Sequence, residues 1–219
     1  LIGYVSGDAI TTGGVNTAVG ASSLTSTTTG AQNTAVGYES LLYNTTGSYN
    51  TAIGVEALEQ NTSSSYNTAV GDGSLRLNTA AGNTALGYSS LRQNTSGANN
   101  VGIGFQAGYN STTASDITYV GHNAGFNNTT GASNTGIGRL ALHNNTTGAG
   151  NVSTGAYSMQ DNTTGTENTA MGSYALNDNS SGSGNVAIGR ESLANNQTAS
   201  DNVAVGKIAL FTNTTGAQN

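Results

Sequence analysis

No cysteine, proline or tryptophan occurs in the 219 residues. Without cysteine there are no disulfides and no thiolate-held metals. Charged residues make up only 7% of the chain, against roughly 25% in an average soluble protein. Five are basic and eleven acidic, leaving a net charge of −6. Nucleic-acid binding depends on Lys and Arg displacing counterions from phosphates, so this composition excludes that class of partner. No apolar run approaches the ~20 residues that span a bilayer, so membrane insertion is not expected. There is no signal-peptide pattern and no initiator Met, and Leu1 falls in mid-repeat. A processed product or a fragment of a longer chain is the expectation.

What is present is Gly, 32 residues of it, with abundant Asn, Thr and Ser. Such a composition can signal disorder, but strict repetition argues for order. Take the Asn that opens each NTAVG-like segment as column 0. Units then begin at residues 16, 33, 50, 67, 83, 100, 117, 134, 151, 168, 185 and 202, after a truncated unit over 1–15. Every interval is 17 residues except that from Asn67 to Asn83, which is 16. The whole chain, residues 1–219, is therefore one continuous array of about thirteen units without a linker.

The columns separate structure from surface. Column 4 is Gly in all thirteen units, including Gly20, Gly37 and Gly54. Column 3 is apolar in twelve, and column 8 is Leu or Met in ten, including Leu41 and Leu58. Column 0 is Asn in nearly every unit, led by Asn16, Asn33 and Asn50. All sixteen charged residues fall in columns 5, 6, 9, 10 and 16. Because charges are rarely buried unpaired, those columns mark the solvent face.

Thr or Val in column 1 and Val or Ile in column 3 predict a short β-strand. Constraint at 4, 7, 8 and 11 matches the i, i+3, i+4, i+7 signature of a helical face, so one short helical turn is predicted over columns 5–10. Asn-Thr-Thr-Gly at 11–14 is turn chemistry. One unit cannot fold alone; stacking supplies strand ladders and ridges of Val and Leu. The predicted fold is mainly β, an elongated parallel β-solenoid on the order of 60 Å long at ~4.8 Å per coil. A helical turn in every coil conflicts with that spacing, since helices pack about 8–10 Å apart. A 3₁₀ turn, a curved solenoid or interleaved chains would resolve it. Ala and Gly in columns 2 and 4 either allow tight coiling or permit close approach of another chain, and with it a homotrimer. The solenoid's uncapped ends further suggest end-to-end stacking.

The NTAVG, NTAIG and NVAIG segments, followed by small residues such as Ser40, Ala57 and Ser192, resemble head repeats of trimeric autotransporter adhesins. The pattern GYxxL…NTTG or NTSG, at Gly37–Gly47 and Gly87–Gly97, is similar to repeats of viral and bacterial tail-fibre-like proteins. The resemblance covers the entire chain. It implies a trimeric parallel β-roll in an extracellular, cell-surface or virion fibre, serving as a spacer or in receptor or host attachment. The 17-residue period and the Leu in column 8 depart from the adhesin heads, so handedness is not carried over.

No catalytic constellation is legible, and no enzyme activity or cofactor is expected. Glu39 and Glu56 share a column one repeat apart, a spacing that could pair carboxylates, but a solvated face explains them as well. His122 and His143 occupy surface columns. Gly102, Gly104 and Gly108 are mis-spaced for a dinucleotide fingerprint, and the acidic nonapeptides of calcium β-rolls are missing. Three sets remain as candidates. Tyr38, Tyr43, Tyr88, Phe105, Tyr109 and Phe126 stand in variable columns, where they either contact a receptor or glycan or pack within the fibre. Asn44, Asn61, Asn94, Asn128, Asn145, Asn162, Asn179, Asn196 and Asn213 open Asn-x-Ser/Thr sequons, which are glycan acceptors in a glycosylating host and otherwise turn formers. Thr in column 12, including Thr28, Thr45, Thr62, Thr129, Thr146 and Thr163, forms an array of the kind that binds ice or glycans.

Overall fold

The computed structural model describes all residues 1–219. Twelve three-residue strands, from β1 (Thr17–Val19) to β12 (Val203–Val205), form one parallel sheet in sequence order. The register is column to column: Thr17 pairs Thr34, Ala18 pairs Ala35 and Val19 pairs Val36. Passing through the 16-residue unit does not shift it, because Thr68, Ala69 and Val70 pair Thr84, Ala85 and Leu86. The missing residue is absorbed in the loop after Asn78. The truncated first unit contributes only a bridge from Ile2 to Val19. The solenoid therefore has about twelve coils, one fewer than the repeat count, because that unit lacks the residues to complete a strand.

Two expectations fail. The first is the helical turn: columns 5–10 contain no helix of any kind. Left-handed residues recur instead at columns 6 and 8, as in Glu39 (φ 55°) and Leu41 (φ 50°). They fold the segment into successive tight turns whose peptide groups point along the solenoid axis. The Glu39 N–H donates to the Ala21 carbonyl at 3.1 Å, and the Leu41 N–H donates to Ala57 at 3.0 Å. A helix would spend those donors within the coil and hold neighbours too far apart. The helix-like pattern arose because columns 7, 8 and 11 all point into the coil, as buried Ser40, Leu41 and Asn44 show. Only 22 of 144 backbone hydrogen bonds lie within the strands, so turns and loops carry most of the backbone bonding.

The second failure concerns which face of the strand is the inside. Ala18, Ala35, Ala52 and Ala69 in column 2 are fully buried against Leu24, Leu41, Leu58 and Leu75 in column 8. Column 3 points outward, with Ile53, Leu86 and Ile137 exposed. Val and Ile were expected inside because they are the more hydrophobic residues. The interior is too narrow for a branched residue opposite every Leu, and Ala is what fits. The Ala face is thereby used up within the chain and is not free to receive another copy.

Column 4 glycines form the corner between sheet and turns. Gly87 sits at φ +132°, and a Cβ there would lie 2.5 Å from the Gly104 carbonyl oxygen of the next coil. Both the backbone angle and the approach of that coil require glycine.

Coils six and seven depart from the plan. Tyr119 replaces Ala in column 2, and Gly108 and Gly125 replace Leu in column 8. The Tyr119 ring fills the vacated space, 3.2 Å from where a Gly108 Cβ would stand. Flanking strands carry Gly102 and Gly136 in column 2, and a Cβ on Gly136 would come within 2.9 Å of the ring. One large side chain thus substitutes for two leucines.

Candidate functional site

Two buried amide ladders tie the coils together. In column 0, Oδ1 of Asn33 accepts the Asn50 N–H at 3.0 Å, and its Nδ2 donates to the Gly47 carbonyl at 2.9 Å. In column 11, Nδ2 of Asn61 donates to Oδ1 of Asn44 at 3.0 Å and to the Ser64 carbonyl at 3.0 Å. Both ladders falter where the repeat does. Asn61 Oδ1 and Asn67 Nδ2 lack partners beside the 16-residue unit, and Asn94 Oδ1 and Ser111 Oγ lack them where Ser111 interrupts column 11. The Tyr119 hydroxyl also makes no hydrogen bond of normal geometry. Burial pushes its ionisation well above the usual phenol range, and neighbouring Asn134 only partly offsets this.

The sequon reading is corrected by burial. Asn44, Asn61, Asn94, Asn128, Asn145, Asn162, Asn179 and Asn196 are all fully buried. Their amides are committed to the ladder, as in Asn145 Nδ2 to Asn128 Oδ1 at 2.8 Å. A glycan on such a nitrogen would have to occupy the interior, so these residues are not acceptors in the folded chain. Asn213, at the end of the same column, is half-buried and bonds to Asn196.

The sequence-predicted aromatics lie on the surface in ordered files. Tyr88, Phe105 and His122 stack in column 5 with ring centroids 5.3 and 5.2 Å apart. Tyr109, Phe126 and His143 repeat the arrangement in column 9 at 5.3 and 5.4 Å. Tyr38 and Tyr43 are exposed without a stacking partner. Tyr157 and Tyr174, two more aromatics in a variable column, stack as well, and the stack of Tyr49 with Tyr66 escaped the sequence reading. The signal that finds all of them is a planar side chain repeated in one column of consecutive units.

Of Glu39 and Glu56, which share column 6, Glu56 is engaged in an ion pair. Arg76 Nε lies 3.0 Å from Glu56 and 2.5 Å from Glu59. Glu59 is the one charged residue that is buried, and Arg76 neutralises it. Its hydrogen bond to Glu59 raises the ionisation of the Arg76 guanidinium further. No group of three or more His, Asp or Glu side chains gathers where it could hold a metal ion. No helix is long and apolar enough to cross a membrane.

Two surfaces stand out by their geometry. The first is the outer face of the sheet, columns 1 and 3. It runs the length of the molecule without a charged residue, and its column 3 includes Ile53 (39% exposed), Leu86 (48%), Met171 (47%) and Val205 (67%). The second is a groove of about 700 Å³ between columns 10 and 12, reaching from Gln93 to Asp161 and Thr163. Its walls carry amides and hydroxyls and no hydrophobic residue. Next to its end, Asp178 is partly desolvated and faces the Asp161 charge, and both effects raise its pKa.

No protein-family model, curated protein or solved structure matches this chain.

Proposed function

We propose that this chain is a segment of an extracellular, cell-surface or virion fibre, a stiff spacer and attachment surface without enzymatic activity. Copies associate through the outer sheet face, as a homotrimer with the three faces turned toward a common axis. The observation that carries this reading is the uncharged stripe on columns 1 and 3, mostly Thr in column 1 and apolar in column 3. The largest apolar patch on a typical monomer is about 300–600 Å² and is often functional. Twelve coils at ~4.8 Å, each presenting a three-residue strand of ~10 Å, give a footprint of roughly 580 Å² per copy. Three such footprints turned to one axis total roughly 1,700 Å², or about 580 Å² for each of the three contacts, the small end of interface sizes taken singly and a standard size taken together. The expectation that Ala and Gly would meet the partner is replaced: the branched residues displaced from the interior are the ones available to it. The amide ladders and in-register strands support the stiffness that a spacer requires.

Lysines on this face test the reading. Ile53→Lys, Leu86→Lys and Ile137→Lys combined place three cations where they remain solvated in a lone chain. The circular dichroism spectrum should be unchanged. Association measured by sedimentation should weaken at least ~100-fold, because each interface would then bury unpaired charges. Equal sedimentation of wild type and variant at all concentrations would remove the proposal.

A further inference from the structure

We infer that the groove between columns 10 and 12 is a binding site for a linear, uncharged polyhydroxylated chain, that is, a neutral glycan. The groove exists because of a local run of sequence. Column 10 carries Tyr43 and Leu77 earlier in the chain, but Asn110, Asn127 and Asn144 in consecutive coils here. These short amides leave the space open, and the groove spans five coils, about 19 Å at ~4.8 Å per coil.

Its polar groups are already oriented. Asn110 Nδ2 donates to Asn127 Oδ1 at 3.1 Å, Asn127 Nδ2 to Asn144 Oδ1 at 2.9 Å, and Asn144 Nδ2 to Asp161 Oδ1 at 2.7 Å. On the other wall the Thr112 hydroxyl donates to the Thr129 carbonyl at 3.1 Å, and the Thr129 hydroxyl donates to Thr146 at 2.9 Å. Asn127 and Asn144 each therefore keep one N–H and one oxygen lone pair uncommitted, and Asn110 keeps one N–H and its whole amide oxygen. Each threonine hydroxyl has spent its proton and offers only lone pairs. Groups fixed in this way lose little freedom on binding.

The ligand class follows by elimination and by match. The walls hold no hydrophobic residue, and every lining side chain carries an amide, hydroxyl or carboxylate, which favours a polar ligand over a hydrophobic one. Asp161 is the one charged residue, and it disfavours an anion. A hydroxyl group both donates and accepts, as this paired wall requires, and a chain repeating along one axis can meet several coils in turn. The inference does not depend on association of copies, because columns 10 and 12 are not columns of the sheet face.

The test is retention of the full chain on an array of linear glucans, mannans and galactans printed beside sialylated and uronic-acid glycans. Wild type should be retained by at least one neutral linear glycan and released by the same oligosaccharide free in solution. Asn127→Tyr should reduce retention at least ~tenfold, since it fills the groove with a side chain that column 10 already accommodates at Tyr43. Tyr43→Asn, outside the groove, should leave retention unchanged. If Asn127→Tyr does not fold by circular dichroism, Thr129→Val removes one hydroxyl at constant shape and should weaken retention in the same direction. Retention by no neutral glycan, retention by anionic glycans alone, or retention undiminished in the folded variant would overturn the inference. Thermal hysteresis without glycan retention would assign the groove to ice and overturn it equally. Sedimentation should be the same for Asn127→Tyr and wild type, so failure here is distinguishable from failure of the fibre proposal.

Discussion

Gly87→Val should divide the solenoid into two independently melting halves. Gly87 sits at φ +132° with the Gly104 carbonyl oxygen 2.5 Å from the Cβ position, and the obstruction is backbone, which no rotamer change relieves. Any accommodation must push the next coil away. That breaks neighbouring bonds such as the Gly104 N–H to the Leu86 carbonyl at 2.7 Å. In a one-dimensional array each repeat is held by its neighbours alone, so losing one interface uncouples everything beyond it. The expected cost is at least ~4–5 kcal/mol, in the range reserved for overpacking combined with backbone strain. A denaturant titration should show two transitions where wild type shows one. Gly206→Val supplies the control. Its φ of +123° is equally unfavourable, but its Cβ position has nothing within 4 Å. The difference between the variants therefore measures the steric obstruction with backbone strain held constant. Similar losses in both would mean that the close approach of coils contributes little.

The second large effect concerns Tyr119. Tyr119→Ala should cost about 3–5 kcal/mol by opening a cavity in a core that the ring alone fills. Gly125→Leu restores the side chain typical of column 8 but drives it into that ring, since even a Cβ on Gly125 overlaps Tyr119. Alone it should be as damaging as the first. Together the two changes rebuild the Ala–Leu pairing of an ordinary coil, and the double variant should regain most of the loss. The coupling energy from chemical denaturation should be at least ~2 kcal/mol in the favourable direction. Additive losses would show that columns 2 and 8 do not share one interior space.

That size exchange was visible in the sequence and is the clue that would have oriented the strand. Tyr119 occurs in column 2 of a unit whose own column 8 is Gly125 and whose predecessor has Gly108 there. Compensation between two columns means that they face each other, which places Ala inside and Val outside. Hydrophobicity alone points the other way, because it ranks Val above Ala without regard to the width of the interior. Period, corner glycines and parallel stacking were legible because each follows from a column with little variation. The turn over columns 5–10 was not, because a corner glycine at 4 with an inward-facing set at 7, 8 and 11 has the same spacing as one face of a helix. Left-handed Leu41 and Leu58 could not be anticipated from residue preference; they are tolerated because the peptide before each is hydrogen-bonded to both neighbouring coils and the carbonyl after each accepts from Asn44 or Asn61 of its own coil. The groove was legible only as a threonine column. Its opening depends on short residues in column 10, which matter only once that column is known to form the opposite wall.

The chain contains no cysteine, so one introduced thiol reports its own surroundings without background. The most direct test of the central claim, that copies meet through the outer sheet face, is the labelling rate of Ile137→Cys as a function of protein concentration, with Tyr43→Cys as an exposed reference. The account predicts that Ile137→Cys is protected at high concentration and approaches the reference rate on dilution, while Tyr43→Cys labels at one rate throughout. Equal rates for the two positions at every concentration would contradict it.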